Sequence, residues 1–270
     1  MNKNQRIILI GLSAVEIALL LLVTFVKPFQ FMGEPMSQLT GILLTRAAGG
    51  VLFAYLIYLM SIPVLKPFRM LSGVRWPDLI LPCVIVLNNF PLEALIRGEG
   101  GLNQPWYVIV VLALECLCIG FFEETAFRGF FMVMMLRKYH ADKKQVCLVV
   151  LLSSILFGLV HLLNLLEGAG SFLSTIQQVG YSMLVGAMCA VVLLITGNIW
   201  YSVLLHGLFD FCGMLLPTAG YGTWFYPITI GITVALAVGT GIYLVIRLIR
   251  MDMSHIEKTL FDLDPLEEQL

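Results

Sequence analysis

Residues 106–136 read WYVIVVLALECLCIGFFEETAFRGFFMVMML, and this stretch decides the class of fold. An α-helix crosses the hydrocarbon core of a bilayer in about 20 apolar residues, so the stretch can span a membrane with tilt or project past it. It also carries Glu115, Glu123, Glu124 and Arg128, although charged side chains are costly inside a membrane. The stretch therefore predicts a membrane helix that holds either a functional site or an internal ion pair.

The rest of the chain has the same apolar character. Of its 270 residues, 59% are hydrophobic and 12% are charged, whereas soluble domains average roughly 45–50% and 25%. This composition excludes an ordinary soluble globule and a disordered chain. We predict an all-α, polytopic membrane helical bundle of about eight transmembrane helices. The predicted spans are 7–26, 42–64, 77–92, 106–136, 146–165, 178–196, 199–216 and 227–249.

The Lys and Arg residues predict the orientation of these spans, because both are enriched in cytoplasmic loops. With the N-terminus inside, twelve of the 16 fall in inside segments, and only Lys27 and Arg97 fall in outside loops. We therefore predict an N-in, C-in topology, with a single transmembrane domain over 1–250 and a solvated, acidic cytoplasmic tail over 251–270. The twelve are Lys3, Arg6, Lys66, Arg69, Arg75, Arg137, Lys138, Lys143, Lys144, Arg247, Arg250 and Lys258.

The sequence excludes a nucleic-acid partner and a framework of paired cysteines. Nucleic-acid binding requires a basic face, and the chain, with a net charge of −1, has none. The six cysteines lie in apolar segments without paired loop spacing, so we interpret them as buried hydrophobic side chains rather than as a disulfide or zinc framework. The partner that the composition does predict is the lipid bilayer.

Ionisable residues inside the predicted spans are concentrated in one part of the chain. Seven of the nine come from residues 115–210, on the fourth, fifth and seventh spans. We therefore predict one polar cavity in the bundle, lined by three helices. The nine are Glu16, Arg46, Glu115, Glu123, Glu124, Arg128, His161, His206 and Asp210.

The densest group of these residues is Glu123, Glu124 and Arg128. Glu124 and Arg128 are four residues apart and share a helix face, which predicts an ion pair. Glu123 lies ~100° further round the helix and lacks this partner. A carboxylate without a paired cation suits a general base, although the same residues would also serve as a charge network that holds helices together.

Two histidine segments complete the set. His161 follows Phe157 by four residues, and a lone histidine in a span is more often a hydrogen-bonded structural residue than a catalyst or a ligand. His206 and Asp210 are also four apart, so the carboxylate can orient the imidazole or stand beside it, and Gly207 leaves space for a backbone or a substrate. With Glu123, these segments supply a base, two imidazoles and a carboxylate, which is the residue set of a hydrolytic site.

The three segments together resemble a known family. The motifs are Glu-Glu-x-x-x-Arg over 123–128, Phe-x-x-x-His over 157–161 and His-x-x-x-Asp over 206–210. Their order within membrane helices resembles that of the CAAX prenyl protease and bacteriocin-processing family, which are intramembrane endopeptidases with an eight-helix core. The resemblance covers about residues 115–216, within a family-like core of about 106–216.

The resemblance implies a role for each matched residue. Glu123 would activate the attacking water with His161, and His206 with Asp210 would stabilise the oxyanion. Family members with Asn in place of Asp210 donate from the amide. An ionised carboxylate cannot donate a hydrogen bond, so Asp210 would act by orienting His206 or as a neutral acid. Glu124 and Arg128 would be structural.

The sequence leaves a metal cofactor open. His161, His206 and a carboxylate are enough for a catalytic zinc site with an open position, and Glu123 would then be the base beside the metal. The same residues also suffice for metal-free hydrolysis, and no His-Glu-x-x-His motif favours zinc.

Three functions follow from these residues. The first is an endopeptidase of a bacterial cytoplasmic membrane that acts on a peptide or membrane-protein substrate, as bacterial relatives do in peptide maturation, bacteriocin immunity or signalling. The second is a non-catalytic scaffold, immunity or regulatory protein that binds a membrane partner such as a sensor kinase. The third is an ion or metal transporter, which is disfavoured because the sequence shows no internal repeat and no paired broken helices.

Overall fold

The computed structural model describes residues 3–66, 74, 77–166 and 171–261, and nearly all of this part of the chain is helical. The prediction of an all-α membrane bundle is confirmed, with one pair of two-residue strands in addition. The elements are α1 (Lys3–Leu21), α2 (Met36–Leu59), α3 (Pro77–Asn88), α4 (Leu92–Arg97), β1 (Gly101–Leu102), α5 (Trp106–Glu124), α6 (Val133–Lys138), α7 (Lys143–Val160), α8 (Leu163–Leu166), α9 (Phe172–Thr196), α10 (Ile199–Ala219), β2 (Gly220–Tyr221), α11 (Pro227–Arg250) and α12 (Met253–Phe261).

Short helical segments join or extend several of these elements. A π-helical turn over Leu22–Val26 follows α1, and a longer π-helix over Thr125–Met132 joins α5 to α6. Single 3₁₀ turns lie at Gln30–Met32 and Pro63–Leu65. β1 pairs with β2 in antiparallel register, with Gly101 opposite Tyr221. This pairing joins the loop before α5 to the end of α10.

Seven helices in the described part of the chain are long and apolar enough to cross a membrane. They run over Lys3–Val26, Met36–Leu59, Trp106–Lys138, Lys143–Leu165, Phe172–Thr196, Ile199–Ala219 and Pro227–Arg250. The third of them has 33 residues, about 50 Å at 1.5 Å per residue. It therefore exceeds the ~30 Å hydrocarbon core, as its sequence predicts.

The predicted span 77–92 is a broken helix. α3 ends at Asn88, and α4 resumes after Pro91. Three contacts place this segment antiparallel to α11: Asp78 pairs with Arg247 at 3.2 Å, Asn88 donates to Thr233 Oγ1 at 2.7 Å, and Glu93 accepts from Thr229 Oγ1 at 2.6 Å. The segment thus runs beside α11 for most of its length. The count of eight crossings and the N-in, C-in orientation stay predictions.

The core is centred on α9 and α5. α9 is the most buried of the long helices, because it packs against α7, α10, α11 and α12. α5 lies between α2 and α10, where Gly49 and Gly50 of α2 leave room for the rings of Phe122 and Phe121. α1 has no buried residue and packs mainly on α2. The charged residues of α5 are therefore held in the middle of the bundle.

The beginning of the predicted tail packs against the bundle. In α12, Ile256 and Leu260 are fully buried, and His255 Nε2 lies 2.6 Å from the carbonyl oxygen of Ile195. Arg137 donates to the carbonyl oxygen of Leu260 at 2.8 Å. The prediction of a solvated tail is therefore wrong for 253–261, because α12 has an apolar face that covers the end of α9. Residues 262–270 lie outside the described residues, as do Arg69 and Arg75.

Candidate active site

The site is built where α5 and α10 cross closely. A Cβ atom on Gly120 would lie 2.8 Å from the carbonyl oxygen of Val203 and 2.9 Å from the backbone nitrogen of Gly207. A Cβ atom on Gly207 would lie 3.0 Å from the carbonyl oxygen of Cys116. Small residues at such crossings let helix backbones approach. The space predicted beside Gly207 is thus filled by the α5 backbone, and the crossing brings the end of α5 against His206.

His206 is oriented through its Nδ1 atom by Glu124. This nitrogen lies 2.8 Å from Glu124 Oε1, and the same oxygen accepts a hydrogen bond from Arg128 Nη1 at 2.9 Å. All three side chains are buried. The predicted Glu124–Arg128 ion pair is confirmed, and Glu124 also has a role that the resemblance did not imply. The carboxylate within hydrogen-bond distance of the imidazole is that of Glu124, whereas Asp210 is 3.5 Å away.

The Nε2 atom of His206 faces two further carboxylates. Glu123 Oε2 lies 3.6 Å from it, and Asp210 Oδ2 lies 3.5 Å from it. These distances are longer than a hydrogen bond but within ion-pair range. The side chains of Glu123 and Asp210 are 17% and 22% exposed, whereas that of Glu124 is fully enclosed. The two carboxylates at Nε2 are therefore the part of the site that a substrate or a water molecule can reach.

Arg128 is held by contacts from two other helices. Its guanidinium carbon lies 3.9 Å from the centroid of the Phe157 ring of α7, which is a cation–π contact. Its Nε atom donates to the carbonyl oxygen of Gly186 of α9 at 3.4 Å. A Cβ atom on Gly186 would overlap the guanidinium group. Arg128 therefore joins α7 and α9 to the carboxylate that orients His206.

A π-helix begins directly after Glu124 and includes Arg128. Thr125 supports its first turn, because its Oγ1 atom donates to the carbonyl oxygen of Phe121 at 2.6 Å. A π-helix has i→i+5 hydrogen bonds, is rare, and often marks a functional position. The ordinary i, i+4 reading of the sequence identifies the Glu124–Arg128 pair correctly but gives no sign of this wider turn.

His161 lies beside the site without an ion pair to its carboxylates. It follows the last residue of α7, and its Nδ1 atom is 3.0 Å from the carbonyl oxygen of Phe157. The Phe157 ring packs edge-on against the rings of both His161 and His206, with centroids 5.2 Å and 5.7 Å away. Phe157 therefore contacts both histidines. Within the described residues, His161 forms no ion pair with Glu123.

Glu115 belongs to a second group of charges, although the sequence predicts it in the same cavity. We call Glu123, Glu124, Arg128, His206 and Asp210 the His206 cluster. We call Glu16, Arg46 and Glu115 the Arg46 cluster, because both of its carboxylates interact electrostatically with Arg46. Glu115 also interacts electrostatically with Asp210 of the His206 cluster, but among the described residues it has no hydrogen bond or ion pair to that cluster. That Glu115 shares one polar cavity with the other six residues stays a prediction.

The described side chains are not arranged as a metal site. No group of three or more His, Cys, Asp or Glu residues within the described ranges could hold a metal ion. His161 and His206, the ligands that the sequence leaves open, both contact the Phe157 ring but do not form such a group with a third ligand among the described residues. A metal cofactor stays a prediction of the sequence.

Three features of the site are absent from the sequence reading. They are the role of Glu124 at His206, the close contact at Gly120, and the contact of Gly186 with Arg128. Gly120 and Gly186 are single glycines in apolar helices, and their position within a span is the only feature of the sequence that indicates a close contact. A glycine of this kind is often a packing residue in membrane helices.

The fold and the site define a multi-pass membrane bundle with a buried glutamate–histidine cluster. Residues 105–212 match the family model described as Type II CAAX prenyl endopeptidase Rce1-like. The matched segment contains every residue of the His206 cluster together with His161, so the resemblance that the three motifs indicate is confirmed over this part of the chain. The match indicates CAAX-type intramembrane protease activity. No curated protein and no solved structure matches the chain significantly.

Proposed function

We propose that this protein is an intramembrane endopeptidase in which Glu123 activates water and His206 stabilises the oxyanion. The observation that supports this most strongly is the two-sided environment of His206. Its Nδ1 atom is anchored to buried Glu124 at 2.8 Å, while its Nε2 atom faces the partly exposed Glu123 and Asp210. One imidazole nitrogen is thus held by a hydrogen bond, and the other is directed to where a substrate would bind.

The reaction would proceed by general-base hydrolysis. Glu123 takes a proton from a water molecule, the water oxygen bonds to the peptide carbonyl carbon, and the carbonyl π electrons move to the oxygen. The tetrahedral intermediate then collapses, the C–N bond breaks, and the amine leaves with the proton that Glu123 had taken. Glu123 suits this role because Arg128 is already paired with Glu124, so the guanidinium group does not neutralise Glu123.

His206 would stabilise the oxyanion. A doubly protonated imidazole donates from both nitrogen atoms, from Nδ1 to Glu124 and from Nε2 to the oxyanion. A preorganised donor of this kind is typically worth 10²–10³ in rate. Asp210 lies at Nε2 and not at the orienting nitrogen. In this proposal Asp210 helps to keep the proton on His206, or acts as a neutral acid.

His161 would help to hold the attacking water. Its Nδ1 atom faces the Phe157 carbonyl oxygen, which favours a proton on that nitrogen and a free lone pair on Nε2. Contact with Glu123 would then run through the water molecule rather than directly. A divalent metal stays an alternative for this step, and we derive no part of the reaction from it.

The substrate would be a peptide or membrane protein cleaved within a bacterial cytoplasmic membrane. The test compares membrane peptides, by mass spectrometry, from cells with the wild-type protein and cells with Glu123→Gln, followed by cleavage of the identified peptide by purified protein in liposomes. We expect a peptide that requires intact Glu123. If cells with Glu123→Ala and His206→Ala retained full function, the protein would instead act by binding a membrane partner such as a sensor kinase.

A further inference from the structure

α9 lines one side of the candidate active site, although none of the three motifs lies on this helix. Its Gly186 carbonyl oxygen accepts a hydrogen bond from Arg128, and Ser182 and Val185 are buried on neighbouring turns. Tyr181 lies four residues before Val185, so its side chain starts from the same face of α9. The helix therefore presents a phenol next to the cluster that contains His206.

Two observations place the Tyr181 side chain at the accessible end of the site. Its ring packs against that of Phe209, with centroids 5.9 Å apart, and Phe209 precedes Asp210 in α10. Its phenol interacts electrostatically with the carboxylates of Asp210 and Glu123, the two groups that face His206 Nε2. The Tyr181 hydroxyl makes no hydrogen bond to another described residue, and the residue is 47% exposed.

The chemistry of the site leaves a place for such a donor. An oxyanion needs hydrogen-bond donors, and a site with one donor stabilises it less than a site with two. Glu123 is the base, Glu124 is occupied by Arg128 and His206, and Asp210 in its ionised form accepts but cannot donate. The Tyr181 phenol, which interacts with Asp210 and Glu123, is in contrast a neutral group that can donate without first gaining a proton.

We propose that Tyr181 donates a hydrogen bond from Oη to the oxyanion of the tetrahedral intermediate, alongside His206 Nε2–H. This inference rests on the proposed endopeptidase function. The Tyr181 proton stays on the phenol throughout, and the water proton still passes through Glu123 to the leaving amine. The hydroxyl acts only while the negative charge is on the former carbonyl oxygen, so its contribution belongs to kcat.

The test is Tyr181→Phe in purified protein in liposomes, with the peptide that wild type and not Glu123→Gln cleaves. We expect kcat to fall about 10²-fold, the effect of removing one oxyanion donor, with little change in KM. The matched control is Tyr107→Phe, because Tyr107 is also 47% exposed but packs edge-to-face against Trp106 at the start of α5. It should keep the wild-type kcat. Unchanged thermal unfolding of both variants will show that the fold is intact.

A second variant separates donation from packing. Asp210→Asn places an amide donor at the same end of the site, so adding Tyr181→Phe in that background should cost less than about tenfold. A wild-type kcat for Tyr181→Phe, or a rise in KM alone, overturns the inference while leaving the endopeptidase intact. If wild-type protein shows no cleavage that depends on Glu123, the proposed function and this inference both fall.

Discussion

The His206 cluster and the Arg46 cluster show two ways of placing charge inside one membrane bundle. In the His206 cluster, Glu124 Oε1 contacts both Arg128 and His206 within 2.9 Å. In the Arg46 cluster, no hydrogen bond joins the described side chains, and Glu16 and Glu115 each have a buried oxygen without a hydrogen-bond partner among the described residues. The His206 cluster also has such atoms, Glu124 Oε2 and Arg128 Nη2, but its other contacts are short. Arg46 instead stacks over the Phe122 ring at 5.0 Å. Short hydrogen bonds fix the side chains of the first cluster, as a catalytic site requires, whereas the second cluster is held by electrostatic and ring contacts.

The largest expected difference between the clusters is in activity. Glu123→Gln should lower cleavage at least about 10³-fold, because an amide cannot take the proton of the attacking water, while the fold stays intact. The matched variant is Glu115→Gln, which makes the same change in a glutamate of the Arg46 cluster on the same helix, α5. It should retain activity within about threefold. Rates of peptide cleavage in liposomes measure both, and equal losses in the two variants would contradict the separation of the clusters.

The next comparison is between the two arginines. Arg128→Ala should destabilise the fold by about 3–5 kcal/mol, because it leaves Glu124 buried without its cation. Arg46 is only half-buried, so Arg46→Ala should cost roughly 1 kcal/mol. Thermal unfolding and the folded yield in detergent compare the two variants. A larger loss from Arg46→Ala would show that the Arg46 cluster, and not the His206 cluster, carries the structural charge pair.

A smaller effect is expected from the glycine that contacts Arg128. Gly186→Ala should lower activity by about tenfold and stability by about 1–3 kcal/mol, because the added methyl group would displace the guanidinium group and the Phe157 ring. Gly180→Ala is the control on the same helix, since a Cβ atom there has no neighbour within 4 Å. Should both substitutions be equally tolerated, Arg128 would not need its observed position.

The smallest effect is expected from removing metal ions. Neither cluster has three side chains arranged to hold a metal within the described residues, so cleavage should persist after treatment with 1,10-phenanthroline and dialysis. The comparison is the same protein with zinc added back. Loss of activity that zinc restores would show that His161 and His206 move together to bind a metal, and that Glu123 acts beside it.

Several parts of this molecule could be predicted from local sequence. Runs of about 20 apolar residues and the i, i+4 spacing of Glu124 and Arg128 each depend on neighbours along one helix. The all-α bundle and that ion pair are confirmed for this reason. The exception is the predicted span 77–92. Pro91 lies in the break between α3 and α4, and the length of the apolar run did not predict this break.

The sequence by itself determined that this is a multi-pass helical protein with a small set of charges inside its spans and with three motifs in a known order. Only the tertiary structure decided which of those charges meet. Glu124 and His206 are 82 residues apart, and their contact depends on how closely α5 and α10 cross at Gly120 and Gly207. Helical periodicity sets the face from which a side chain leaves its own helix. The packing of a second helix decides what that side chain contacts. Here the packing places His206 Nδ1 against Glu124 and His206 Nε2 near Glu123 and Asp210.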